Sequence, residues 1–271
     1  MYRSFAKRHW LKITALLTIT LATTVIHRAL DVSLRSAPYW SGGLLLAIVT
    51  FLALYSLRKK LSWAPIGSSA VWLQLHIYTG LFGFTVFQLH TGPQLPNGLF
   101  ESVLAGVYVT VFLSGVTGLV VSRCFARRLT GRGPQVLFER VPEYLKALKG
   151  EAERLLANHD RASPLIGFYS SQLSNRFDRP QNCLCHLVGS TRPQSVLRTK
   201  MKSLQRYLNQ TDRAVLAELE TIVLAKDDLD YQYSLQLVLK YWPFLHVPLT
   251  YALLLMSLYH VVLVHAFLGN V

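Results

Sequence analysis

The chain has 271 residues, of which 51% are hydrophobic, and a formal net charge of +14. Its mean hydropathy is +0.30, too apolar for an ordinary soluble domain, and the apolar residues gather in blocks near bilayer length. Charge sits outside those blocks: 12 of the 14 acidic and 19 of the 28 basic residues lie between Arg123 and Lys240. No nucleic-acid partner is therefore expected, and basic residues beside apolar blocks are read as topology signals and contacts to the headgroups of membrane lipid. Three cysteines, Cys124, Cys183 and Cys185, are too few and too clustered for a disulfide scaffold.

The first dozen residues are basic (Arg3, Lys7, Arg8, Lys12) and precede the apolar run Ile13 to Ile26. No small-residue cleavage site follows, so a retained first span is expected over about residues 11–30. The second span runs from about Trp40 to Leu57 and ends at Arg58-Lys59-Lys60. Pro65 and Gly67 mark the turn into a third span at about 69–91, and the connection with Pro93, Pro96 and Gly98 contains no lysine or arginine. The fourth covers about Ser102 to Val121 and runs into Arg123, Arg127, Arg128 and Arg132.

A polar insert follows over 123–240. Val136 to Leu156 reads as an amphipathic helix with apolar positions at 137, 141, 145, 148 and 155. Residues 165–192 read as irregular, helical pattern resumes at about 194–208, and Thr211 reads as the N-cap of a further helix bearing Val215, Leu219 and Ile222. The fifth span starts at Tyr241-Trp242-Pro243, with the proline where a helix start tolerates it, and Pro248 is placed to free the carbonyl of Phe244.

The expectation is an all-α chain: a transmembrane bundle of five spans (1–122 for the first four, 241–271 for the fifth) with a mainly helical cytoplasmic insert at 123–240. Alternation puts the N-terminus, the 58–60 loop and the insert on one side. The lysine and arginine excess there makes that side cytoplasmic and the C-terminus external, in an inner or cell membrane of bacterial type.

Two of these spans carry paired histidines. His76 and His90 lie on the third, His246 and His260 on the fifth, and each pair is 14 positions apart. At about 100° per residue both rings of a pair share one helix face, about 21 Å apart along the axis. One span intervenes, so the two helices run parallel and the equal spacings align His76 with His246 and His90 with His260. Histidine in hydrocarbon is costly unless it faces the bundle interior with a partner, and four at matched spacing form two stacked bis-histidine sites. The expected occupants are two heme b groups, whose iron, saturated by two neutral imidazoles, suits electron transfer.

Gly80 and Gly83 on the third span, and Gly106, Gly115 and Gly118 on the fourth, are expected to leave room for the flat macrocycle or to permit close helix packing. Propionates of the cytoplasmic heme would pair with Arg58, Lys59, Lys60, Arg123 or Lys240, and those of the outer heme with Arg28 or Arg35. His27 and His265 read as propionate or interface residues, and His9 and His159 as solvated. Cys183-Leu184-Cys185-His186 reads as a loop with ordinary cysteines; its metal-site alternative would take Cys124 as a third thiolate.

With these residues in place, the chain resembles the diheme membrane cytochrome b proteins. In layout it is similar to the ferric reductase-like transmembrane domain, also found in NADPH oxidases, whose N-terminus is cytoplasmic and whose third and fifth spans bear histidine pairs at this spacing. The parallel second and third helices of respiratory-complex cytochrome b offer a similar arrangement. The resemblance implies heme ligation by His76, His90, His246 and His260. It covers about half the chain; the long insert departs from it, and no sixth span and no flavin or nicotinamide segment is read in these residues. Pro142-Glu143-Tyr144 is similar to a quinol-site motif of the respiratory family but lies in the polar insert and is discounted. The function expected is transmembrane electron transfer by an oxidoreductase subunit. Its donor would be a quinol or partner subunit, and its acceptor a cytochrome c or Fe–S protein. The competing readings are a non-heme membrane anchor or assembly subunit, and a histidine-lined pathway for metal ions or protons.

Overall fold

The computed structural model describes residues 2–33, 37–60, 67–92, 96, 98–131, 135–157 and 163–268, with side chains from residue 10 onward except those of 57–60 and 268. Arg35, Pro65, Pro93, Arg132 and His159 lie outside the described residues, as do the side chains of His9, Arg58, Lys59 and Lys60. The described residues form helices and turns, with no strand among them, so the chain is all-α. Its α-helices are α1 (Tyr2–Val32), α2 (Ala37–Lys60), α3 (Ser69–Thr91), α4 (Leu99–Thr130), α5 (Val141–Leu156), α6 (Pro164–Phe168), α7 (Cys183–Val188), α8 (Arg192–Leu204) and α9 (Gln210–Leu268). Five of these, α1 to α4 and α9, are long and apolar enough to cross a membrane.

α3 matches the expected third span, and its last turn closes on Gly92, whose N–H donates to the carbonyl of Gln88. α4 runs past Val121 to Thr130, because no helix breaker interrupts the sequence before Gly131. The largest departure is α9, a single helix of 59 residues that carries both Pro243 and Pro248 in its interior. The expected start at Tyr241 is corrected: residues 223–242 contain no glycine or proline, and each proline removes only one helix donor. The expected cap at Thr211 is also corrected. Asn209 is the capping residue, its Oδ1 accepting from the N–H of Asp212 at 2.7 Å.

The chain divides into two compact units, one of residues 1–118 with 243–271 and the other of residues 119–242. In the first, α2 and α3 make the closest backbone packing, with α1 beside both. Val49, Phe87, Tyr108 and Leu253 form its buried centre. Phe87 stacks on Tyr108 at 4.2 Å and Phe84 on Phe112 at 4.3 Å. Gly83 permits this packing, since a Cβ there would stand 3.0 Å from Ile48 Cγ2 and 3.2 Å from the Tyr108 hydroxyl. The outward faces of all five apolar helices carry exposed aliphatic residues, among them Leu21, Leu54, Leu73, Leu113 and Leu255.

The second unit has a conventional core. Leu165, Leu173, Leu197, Leu216, Leu219 and Ile222 are buried together with Ala152 and Met201, and each fully buried leucine contributes about 1.5–3 kcal/mol. Residues 165–192 are more ordered than expected: α6, a π turn at Tyr169–Leu173, a 3-10 turn at Ser174–Arg176 and α7 fill them. Ser163 caps α6 through the N–H of Leu165 and donates to Asp212. Val141 and Leu145 bury the expected face of α5, whereas Leu137 precedes that helix and is exposed. The chain before α5 is pinned by Gln232, which accepts from the N–H of Val136, and by Gln236, which donates to its carbonyl.

Candidate functional site

α3 carries His76 and His90, and the part of α9 in the same unit carries His246 and His260. His76 faces His246 with ring centroids 6.5 Å apart and planes at 77°; His90 faces His260 at 6.5 Å and 84°. The register is the one that equal spacing on parallel helices demands. A metal–imidazole bond of about 2 Å, with about 1 Å from nitrogen to ring centre, puts two in-line imidazoles on one atom roughly 6 Å apart. Both pairs meet that dimension.

The four rings are held differently. Nδ1 of His90 lies 3.1 Å from the carbonyl oxygen of Pro38 and 3.3 Å from Ser41 Oγ, both on α2. Nδ1 of His246 lies 3.3 Å from Ser114 Oγ on α4. For His90 that leaves the second nitrogen, Nε2, to face a ligand. Nδ1 of His76 and of His260 are buried with no hydrogen-bond partner among the described residues. A buried polar nitrogen left unmatched costs about 1–3 kcal/mol, which is tolerated where a ring serves a second purpose. Tyr55 packs on the His76 ring at 4.8 Å, and Phe100 stacks near His260 at 6.3 Å.

Glycines border both sites. A Cβ on Gly42 would stand 2.8 Å from His90 Cε1, and one on Gly115 would stand 3.5 Å from His246 Cε1. A Cβ on Gly80 or Gly106 would meet no atom within 4 Å, although Gly106 is exposed. Gly83 packs helices as described, and Gly118 is buried. Paired imidazoles at this separation, two unmatched ring nitrogens and a glycine beside a ring of each pair could hold a metal-centred cofactor between the rings.

The remaining candidates are scattered. Arg123 is exposed and belongs to the second unit, and Arg28 is exposed on α1. Nδ1 of His265 donates to its own helix at the Val261 carbonyl, 2.9 Å away, and the ring meets Tyr39 edge-on. Nε2 of His27 is buried without a partner among the described residues. The Cys183–His186 segment is a helix rather than a loop, and its cysteines are free thiols. Among the described residues no group of three or more His, Cys, Asp and Glu side chains is gathered to hold a metal ion.

Sequence reasoning missed Pro38, Ser41, Gly42 and Ser114. They lie 48 to 132 positions from the histidines they touch, and no spacing rule links them. The available signal was weak: small and hydroxyl residues inside apolar blocks mark close helix approach or polar contact. Comparison with models of protein families, with curated proteins and with solved structures finds no match.

Proposed function

We propose that the protein is a five-span, diheme b-type cytochrome that carries electrons across a membrane. The observation that supports this most directly is the duplicated histidine pair, each with ring centroids 6.5 Å apart. Exposed aliphatic faces on all five apolar helices support a lipid surround, since water would not tolerate so continuous an apolar surface. The basic residues flanking those helices set the N-terminus on the cytoplasmic side.

His76 with His246 and His90 with His260 each offer two neutral imidazole nitrogens from opposite sides. Those four side chains would hold heme between them, and a heme so held would suit outer-sphere electron transfer rather than binding of small ligands. Bound heme would supply the one-electron carrier. The chain holds the two sites about 21 Å apart along one helix face, at opposite ends of the apolar span. Contacts at Nδ1 orient two of the four rings, His90 against Pro38 and Ser41 and His246 against Ser114. Donor and acceptor come from outside the chain: a quinol or partner subunit, and a cytochrome c or Fe–S protein. Residues 123–240 carry 19 basic and 12 acidic side chains, a bias that would steer an acidic partner.

The test is a dithionite-reduced minus oxidised spectrum of the purified chain with pyridine hemochrome quantitation. Two b-type hemes per chain are expected. A well-folded preparation free of heme would refute the proposal and favour an anchor or an ion pathway.

A further inference from the structure

α2 contributes no ligand, yet its first turn surrounds the His90 ring on two sides. Ser41 is fully buried, and its hydroxyl donates to the carbonyls of Ala37 at 3.0 Å and Pro38 at 3.2 Å. With its proton committed there, Ser41 Oγ turns a lone pair toward His90 Nδ1, as does the Pro38 carbonyl. Both neighbours accept, so Nδ1 carries the proton and Nε2 the lone pair. The edge of the same ring rests on Gly42, where a Cβ would stand 2.8 Å from Cε1, 3.3 Å from Nδ1 and 3.6 Å from Nε2. The next residue, Gly43, has open space around its would-be Cβ.

Resting on the diheme reading, we infer that Pro38, Ser41 and Gly42 form a holder on α2 that sets the tautomer, orientation and electron donation of His90, and thereby the potential of one heme only. Acceptors at Nδ1 make an imidazole a stronger donor through Nε2, which stabilises the oxidised metal and lowers its potential. Ser41 and Gly42 are positioning residues: they act through His90.

The experiment compares detergent-solubilised wild-type protein with Gly42→Ala, Gly43→Ala, Ser41→Ala and His90→Ala, by heme quantitation and potentiometric titration. Gly43→Ala should keep two hemes with both midpoints unchanged. Gly42→Ala should lose one heme, leaving a residual spectrum that superimposes on that of His90→Ala. Ser41→Ala should keep two hemes and move one midpoint upward while the other stays. Unchanged hemes and midpoints in both Gly42→Ala and Ser41→Ala would overturn the inference. So would equal heme loss in Gly43→Ala, which would reduce the effect to general helix crowding. Wild-type protein without heme would remove the diheme reading and this inference together, so the wild-type spectrum separates the two failures.

Discussion

Lys226 and Asp230 form an ion pair one helical turn apart on α9, with side chains only 8% and 3% exposed. Desolvating two charges consumes most of what their attraction returns, so such a pair is a poor stabiliser but a costly one to break. Asp230→Ala should lower the stability of the second unit by about 3–5 kcal/mol, whereas Lys226→Met with Asp230→Leu should be close to neutral. Maleimide labelling of the half-buried thiols Cys183 and Cys185 during heating reads this out, with exposed Cys124 as the reference thiol. Equal labelling midpoints in wild type and Asp230→Ala would remove the argument.

The same pair imposes a pH dependence. Burial pushes the Asp230 carboxyl up from 3.8 to about 6, and burial also lowers the Lys226 ammonium from its usual value despite the carboxylate beside it. Between those two acid values the folded chain retains a proton at Asp230 that the unfolded chain releases. This group's contribution to stability is therefore greatest below 3.8, falls as pH rises to about 6, and is flat above that. The change is on the order of 1–3 kcal/mol. Labelling midpoints of Cys183 and Cys185 measured from pH 4.5 to 7 should show the fall in wild type and lose it in Asp230→Asn.

Arg128 closes the end of α7. Its Nη1 and Nη2 donate to the carbonyls of Leu187 and His186, at 2.7 and 2.5 Å, and its Nε donates to the Tyr231 hydroxyl. The helix turns off at Gly189, whose φ of +80° suits a residue without Cβ. Lysine cannot reproduce this fork of donors. Arg128→Lys and Arg128→Ala should both speed labelling of Cys183 and Cys185, by roughly tenfold or more for Ala if about 1.5–3 kcal/mol of charge-assisted bonding is lost. Unchanged rates in Arg128→Ala would show that the fork contributes nothing to holding α7.

The histidine pairing makes a prediction about double substitutions. On the diheme proposal, His76→Ala, His246→Ala and their combination should each leave one heme, because each removes the same site. His76→Ala with His90→Ala should leave none, and so should His246→Ala with His90→Ala. Pyridine hemochrome counts distinguish this from antiparallel pairing of His76 with His260, in which the His76→Ala/His246→Ala combination would leave none.

Much of this molecule was written in local sequence. Apolar blocks of bilayer length are self-sufficient signals, because a helix satisfies its own backbone and its solubility is a property of its own side chains. The helix at Ser69–Thr91 could therefore be read almost to the residue. The shared face of His76 and His90 follows from helical periodicity alone, and two equal spacings on parallel helices imply the register. The capping Asn209 is also a local signal, two positions before Thr211.

What only the tertiary structure decided are the contacts that link one helix to another. Nothing near His90 in sequence announces Pro38, Ser41 and Gly42, and nothing near Arg128 announces the carbonyls of His186 and Leu187. The Lys226–Asp230 spacing was visible, but not its burial, since burial depends on what other segments lay over that face of α9. The irregular reading of 165–192 failed for the same reason. Short turns such as Pro164–Phe168 and Cys183–Val188 lack the length to be stable alone and form where the surrounding core holds them. Periodicity determines which face a side chain occupies; only packing determines what that face meets.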